Sequence, residues 1–391
     1  MPQSVILSAA RTPVGSFGGA LSTVPAPELG AAAITGALER AGVEADQVQE
    51  VILGNVVTAG EGQAPARQAA LGAGLPQSVA CMTINKVCGS GMKAVMLADQ
   101  AIRAGDAEVV VAGGMENMSQ APFYLEKARY GYGYGDGKLI DGLFHDGLRD
   151  AYDGVAMGVA ADACGVSCNV PRERQDEFSV ESYRRAQASI ENGAFAQEIV
   201  PVTVKGRKGD TVVDTDEEPA RTNFDKIPSL RPVFSEEGTV TAANASTIND
   251  GAAALVVASS EWAEAHGATP LARVVASAQH SQAPMEFTTA PIEAVRKALD
   301  RAGLTMDDID LFEVNEAFAV VALAAQDALD IPHEKLNVRG GSVAVGHPIG
   351  ASGARILTTL LHEMKARDAK RGLAAICIGG GEATALIVER D

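Results

Sequence analysis

The stretch "INKVCGSGMKA", residues 84–94, sets Cys88 between an apolar strand-like run and two glycines that open a helical pattern. A thiol so placed can be a packed apolar side chain, one half of a metal or disulfide pair, or a nucleophile. The partial positive charge at a helix start can bring a thiol pKa from about 8.5 down to about 3.5–7.5. Gly89 and Gly91 permit a sharp turn and the close approach of another backbone or a substrate. From this turn alone, the structural and the nucleophilic readings stand level.

A nucleophile needs a base. "RGGSVAVGHPIGASGAR" places His347 in a glycine-rich connection after an apolar run. It lacks the Gly-Lys-Ser/Thr of a Walker motif and does not fit G-x-G-x-x-G, so a phosphate loop is a weak reading. A lone histidine is more often structural. Cys377 lies in "AAICIGGGEATALIV", a strand pattern ending in three glycines, Gly379 among them, whose free N–H groups are what an oxyanion site requires. Asn315 and Glu316 in "FEVNEAFA" follow an apolar strand, where open α/β sheets bind ligands, although both could simply cap a helix. Cys164 and Cys168 share a helix face, but two sulfurs with no histidine near them make a poor zinc site, and helix packing is the plainer reading.

These residues need elements to hold them. Short β-branched runs such as "QEVILGNVV", "AEVVVAGG" and "LAAICIGGG" alternate with Ala-rich helical patterns such as "PELGAAAITGALERAG". The alternation reads as α/β with helices on both faces of a sheet. The two ends also repeat each other. "AGVEADQVQEVILGN" from Ala41 parallels "AGLTMDDIDLFEVNE" from Ala302, and Ser90-Gly91-Met92-Lys93 parallels Ser352-Gly353-Ala354-Arg355, at nearly the same offset. Two related halves are expected, with chemistry where they meet. They are read as 1–120, joined by 249–270, and 271–391. Between them, 121–248 has no counterpart in the repeat. It holds the glycine- and tyrosine-rich "YGYGYGDGK" and a charged stretch, and reads as an inserted loop domain that covers a site.

A chain of 391 residues exceeds the size at which a single core stops growing. A formal charge of −18 speaks against nucleic acid as a partner. No apolar run reaches membrane-spanning length, and the N-terminus enters a strand pattern without a basic leader, so no membrane association and a cytoplasmic location are expected. Five scattered cysteines, an odd number, suit free thiols in a reducing compartment.

"NKVCGSGMKA", "AGGMENMS", "VNEAFA", "GGSVAVGHPIGASGAR" and "CIGGGEATA", in this order, resemble the signature set of the thiolase family, and the resemblance runs from "ILSAARTPVGSFGGALS" to the last strand. Within the family the chain is most similar to the acetoacetyl-CoA thiolases, with "VTAANASTINDGAAALV" and "RTNFDKIPSLRPVF" nearest the mitochondrial-type branch. The resemblance implies a five-layer αβαβα fold of two βαβαβαββ halves plus a loop domain. It implies reversible condensation of two acetyl-CoA to acetoacetyl-CoA and coenzyme A, or thiolysis of a 3-ketoacyl-CoA, with coenzyme A as substrate or product and no tightly bound cofactor. Cys88 would be the acylated nucleophile, His347 its base and Cys377 the second acid/base. Asn315, through a water, and His347 would form one oxyanion hole, and the N–H groups of Cys88 and Gly379 the other.

By the same resemblance Leu148, Met157, Ala243, Ser246 and Phe318 would touch the pantetheine or adenine of coenzyme A, with Arg221 and Lys226 near its phosphates. Tyr183, Ala242, Ala243, Ala245 and Val343 would surround a potassium ion, mostly through carbonyls. A homotetramer, a dimer of dimers, is implied. One departure stands out: the family's short-chain members read His-Met-Gly where this chain reads Ala156-Met157-Gly158, which enlarges the pocket beside the pantetheine end and leaves a broader-range 3-ketoacyl-CoA thiolase open. A ketoacyl-synthase-type condensing enzyme is opposed by Cys377, where such enzymes carry histidine. A non-catalytic acyl-CoA-binding protein is opposed by the presence together of Cys88, His347, Asn315 and Cys377.

Overall fold

The computed structural model describes residues 2–390. β1 (Ser4–Arg11) is buried along its whole length, as a strand covered on both faces must be. α1 (Ala26–Ala41) carries Pro27 in its first turn and Gly42 in the left-handed conformation just past its end, the usual start and stop chemistry of a helix. β2 (Glu50–Gly54), α2 (Pro65–Gly72), β3 (Ala80–Ile84), α3 (Ser90–Ala104) and β4 (Val109–Asn117) follow. A long excursion contains α4 (Met157–Ser167) and α5 (Arg172–Glu191). β5 (Asn249–Ser259) then returns to the first half, and α6 (Ser260–Ala265) ends it.

The second half repeats the order: β6 (Ala272–Ser281), α7 (Ala290–Ala302), β7 (Leu311–Val314), α8 (Ala319–Ala328), the short α9 (Ser342–Val345), α10 (Ser352–Arg367), β8 (Arg371–Ile378) and β9 (Glu382–Glu389). Strand order is β3-β2-β4-β5-β1 in one half and β7-β8-β9-β6 in the other, and the halves join where Val5 and Ile6 pair with Arg273 and Ala272. β2 is parallel to β3 and β4, and β7 to β8; the remaining pairs are antiparallel.

The repeat is imperfect at one point. The counterpart of β3 shrinks to a single bridge between Phe312 and Leu336. There the side chain of Asn337 does the work of a peptide: its Nδ2 donates to Val314 O and its Oδ1 accepts the Val314 N–H, both at 2.8 Å. The chain this saves goes into the long connection before α10, which carries α9 and His347.

The layers follow from the cores. α1 and α2 cover the outer face of the first half-sheet, and α7 and α8 that of the second. α3 and α10 lie between the halves, sharing a core with inward residues of both, among them Ile52, Val110, Leu311 and Ile376. This is an αβαβα sandwich. The excursion leaves the first half yet packs α4 and α5 on the core of the second. It is anchored back to β1 by fully buried Arg11, which donates to Glu198 at 2.5 Å and to both carboxylate oxygens of Asp216 at 2.7 and 2.8 Å. A buried guanidinium needs such partners, and removing Arg11 would strand two buried carboxylates.

The two middle helices touch at their N-termini through glycines. A Cβ on Gly91 would lie 2.8 Å from Ala354 N, and one on Gly353 would lie 2.5 Å from Met92 N. Glycine at both equivalent positions lets the two N-terminal turns, one bearing Cys88 and the other following His347, share a single centre.

Candidate active site

Cys88 sits in a strained turn between β3 and α3. The preceding residue, Val87, has φ of +44°, a conformation that a β-branched residue adopts only when its surroundings compel it. Those surroundings are visible. Asn85 Oδ1 accepts the Val87 N–H at 2.9 Å, and Ser90 Oγ accepts the Lys86 N–H at 2.8 Å while donating to Val87 O at 2.6 Å. Gly89 has no room for a side chain, because a Cβ would meet Ile378 Cδ1 at 2.3 Å. The thiol is not lowered, as its helix-start position suggests, but pushed up to about 11 by burial, with the Glu116 carboxylate adding to the rise. The N–H groups of Gly379 and of Cys88 itself point at the sulfur and oppose that rise. Desolvation by the surrounding side chains outweighs the helix dipole here.

His347 lies between α9 and α10. Its N–H donates to Asn249 Oδ1 at 2.8 Å, and its Nδ1 is 2.6 Å from Ser352 Oγ. The Ser352 hydroxyl gives its one hydrogen to Pro348 O at 2.8 Å, so Nδ1 carries the ring hydrogen and Nε2 keeps a free lone pair. Nε2 is buried with no hydrogen-bond partner. Burial, then the nearby Arg355 charge, push the imidazole down to about 3, so it rests neutral. A neutral base beside a protonated thiol is a pair set to exchange a proton when a substrate supplies the driving force.

Two further polar side chains complete the centre. Asn315, just past β7, offers Oδ1 to the Ser342 hydroxyl at 2.7 Å, and its Nδ2 is buried without a partner. Cys377, next to last in β8, is fully buried, and burial together with the neighbouring Cys88 holds its thiol well above the usual range. Gly380 and Gly381, at φ of +89° and +85°, form the hairpin that turns Gly379 N–H toward Cys88.

A cavity of about 640 Å³ opens over Cys88, His347 and Gly379. Leu148, Met157, Ser246 and Phe318 line it, with Ala156, Phe234 and Phe287, and Arg221 is among the lining residues. Asn315 and Cys377 are buried residues outside the lining. Ala243 is buried and Lys226 exposed, and both lie outside the lining too. Tyr183, Ala245 and Val343 share one core, Ala242 lines the cavity, and no backbone N–H among the described residues donates to the carbonyls of Ala242 or Ala243. Cys164 and Cys168 sit 3.7 Å apart, sulfur to sulfur, as free thiols.

Sequence reasoning missed the residues that hold the site. Ser352 was visible only as one half of the repeat, and its five-residue distance from His347 was the available signal. Asn249 gave none. Glu116, inside "GGMENMS", is fully buried and accepts N–H groups from Val56, Val57, Gly350 and the Asn55 side chain at 2.8–3.1 Å. It thus ties the His347 connection to the first half.

The family model described as thiolase, N-terminal domain, matches residues 4–261, and that described as thiolase, C-terminal domain, matches 268–390. The acetyl-CoA acetyltransferase of Cupriavidus necator is 55% identical over the whole of both chains, and that of Escherichia coli 52% identical over the whole of both. The crystal structure of the Bacillus anthracis acetyl-CoA acetyltransferase superposes with a TM-score of 0.97 at 42% identity, covering 100% of this chain and 99% of the other. With the sandwich, the paired halves and the cysteine–histidine centre in place, these likenesses mean that the chain belongs to the thiolase family.

Proposed function

We propose that the protein is an acyltransferase that joins two acetyl-CoA into acetoacetyl-CoA and coenzyme A, reversibly, through an acetyl-Cys88 intermediate. The observation that carries this reading is the bare Nε2 of a neutral His347 in one cavity with Cys88 and Gly379. His347 takes the Cys88 proton as the sulfur attacks the thioester carbonyl. The oxyanion forms where buried donors wait, and such donors are worth most in a dry site. Cys377 gives its proton to the departing coenzyme A sulfur and becomes a thiolate. Its raised pKa then makes it a strong base, suited to removing the weakly acidic methyl proton of a second acetyl-CoA. The enolate attacks acetyl-Cys88, the N–H groups of Cys88 and Gly379 stabilise the tetrahedral oxygen, and the Cys88 sulfur leaves and recovers its proton from His347. Protons balance over the cycle.

Pantetheine lies along Leu148, Met157, Ser246 and Phe318, with Arg221 toward the phosphates. A potassium ion beside this wall belongs to the same reading: the free carbonyls of Ala242 and Ala243 would be the hard oxygen donors such an ion needs, and Tyr183, Ala245 and Val343 would complete the surround. Its bound charge would stiffen the loop against the substrate. A dimer of dimers belongs to the same reading and is supported by exposed Phe123, Tyr130, Tyr134 and Leu139 in the first part of the excursion.

Labelling with radioactive acetyl-CoA tests the scheme. The wild-type chain and Cys377→Ala retain label on the protein, the second as a trapped intermediate. Cys88→Ser retains none, and His347→Ala acquires it slowly. Label on Cys88→Ser, or equal acylation defects in the other two variants, would overturn the assigned roles.

A further inference from the structure

An amide side chain has two ends of nearly equal size, one a donor and the other an acceptor. Which end of Asn315 faces the reacting centre is therefore decided by what its other end touches. That end touches Ser342, whose Oγ lies 2.7 Å from Asn315 Oδ1. A hydroxyl has a single hydrogen and can give it in only one direction. Arg355 settles the direction, because its Nη2 donates to the same Ser342 oxygen at 2.8 Å and a guanidinium can only donate. The Ser342 hydrogen is left for Asn315, which must present its carbonyl and so aims Nδ2 away, where it is buried and unpaired. Arg355, Ser342 and Asn315 are all at most 2% exposed, so water cannot take over any of these bonds. The chain starts on α10, crosses α9 and ends at the residue after β7, all in the half that carries His347.

Resting on the reading above, we propose that Ser342, directed by Arg355, is a positioning residue that fixes the Asn315 amide with its donor, not its carbonyl, free for the water that would bridge it to the thioester oxygen. A merely structural role, holding α9 against α10, predicts something else. It would weaken the enzyme whether or not Asn315 were present.

The test is a double-mutant comparison on the full chain, reading kcat and KM for thiolysis of acetoacetyl-CoA. Ser342→Ala lets the amide turn over, and kcat falls by about 10–100-fold, up to the loss of one oxyanion donor, while KM moves by less than about threefold. In an Asn315→Ala background the same change has no further effect on kcat. Arg355→Lys, which keeps a donor and the charge, gives a smaller loss that also disappears in that background and stands in should Ser342→Ala fold poorly. Full activity of Ser342→Ala, or losses that multiply when it is combined with Asn315→Ala, would sink the positioning role. An Asn315→Ala enzyme with unchanged kcat would remove the oxyanion role of Asn315 and this inference with it. Absence of acetyl-enzyme in the wild type would remove the proposed function itself.

Discussion

The contact between the two middle helices gives the sharpest prediction. In Gly353→Ala the new Cβ would lie 2.5 Å from Met92 N and 2.8 Å from Met92 Cβ, where ordinary contact starts near 3.4 Å. The obstacle is backbone, so rotation of a side chain cannot relieve it, and the helix ends must part by about 0.9 Å (3.4 less 2.5). Residue 352, which holds the His347 ring through its hydroxyl, moves with α10, while Met92 and Cys88 stay with α3. Displacing a base from its nucleophile by about 1 Å costs about 100-fold in rate, and overpacking costs about 1–3 kcal/mol of stability. The acetylation burst on mixing with acetyl-CoA and the unfolding midpoint in urea read the two effects separately. Gly105→Ala is the control: it strains a left-handed residue at the far end of α3, φ of +81°, with nothing within 4 Å. It loses about 1–2 kcal/mol of stability and keeps its burst rate. A Gly353→Ala enzyme with a burst within about twofold of wild type would refute the view that helix contact sets the catalytic geometry.

Two other outcomes are expected. Because the Cys88 thiol is pushed up to about 11 and the His347 imidazole down to about 3, the pair stays neutral between them. Inactivation by iodoacetamide should then rise about tenfold per pH unit from about pH 7 to 9, with no inflexion at the ordinary histidine pKa of about 6.5, whereas a plateau below about pH 8 would reveal a thiolate–imidazolium pair. In Ala156→His a ring enters the cavity wall beside Met157, so kcat/KM for 3-ketohexanoyl-CoA should fall about tenfold further than that for acetoacetyl-CoA. Equal falls would mean that position 156 does not read chain length.

How far the sequence reached can be judged residue by residue. The repeat located Gly91 and Gly353 at equivalent places, and its spacing implied two related halves meeting at one centre, because glycine and helix-start chemistry are local and leave a mark in the chain. The alternation of strands and helices likewise showed an α/β class. Yet the same reasoning allowed a lowered Cys88 thiol, and the structure raises it. Helix-dipole effects can be read from neighbours in sequence, but desolvation depends on what packs from far away, here the cluster of Val57, Met118 and Ile349 against Cys88. For the same reason the repeat could not show that one strand collapses to a bridge while Asn337 stands in for its peptide. Nor could it show that Lys226 and Ala243 lie outside the cavity lining while Phe234 and Phe287 join it.

The sequence by itself determined the elements, the order of the two halves and the chemical types at Cys88, His347, Asn315 and Cys377, since each rests on short-range spacing. Only the tertiary structure decided their states. Ser352 fixes the His347 tautomer, Ser342 and Arg355 orient Asn315, and Glu116 binds the histidine connection to the other half 234 residues away. A proton's position and an amide's facing are set by hydrogen bonds and burial among groups distant in the chain, and those come into being only when the halves close on each other.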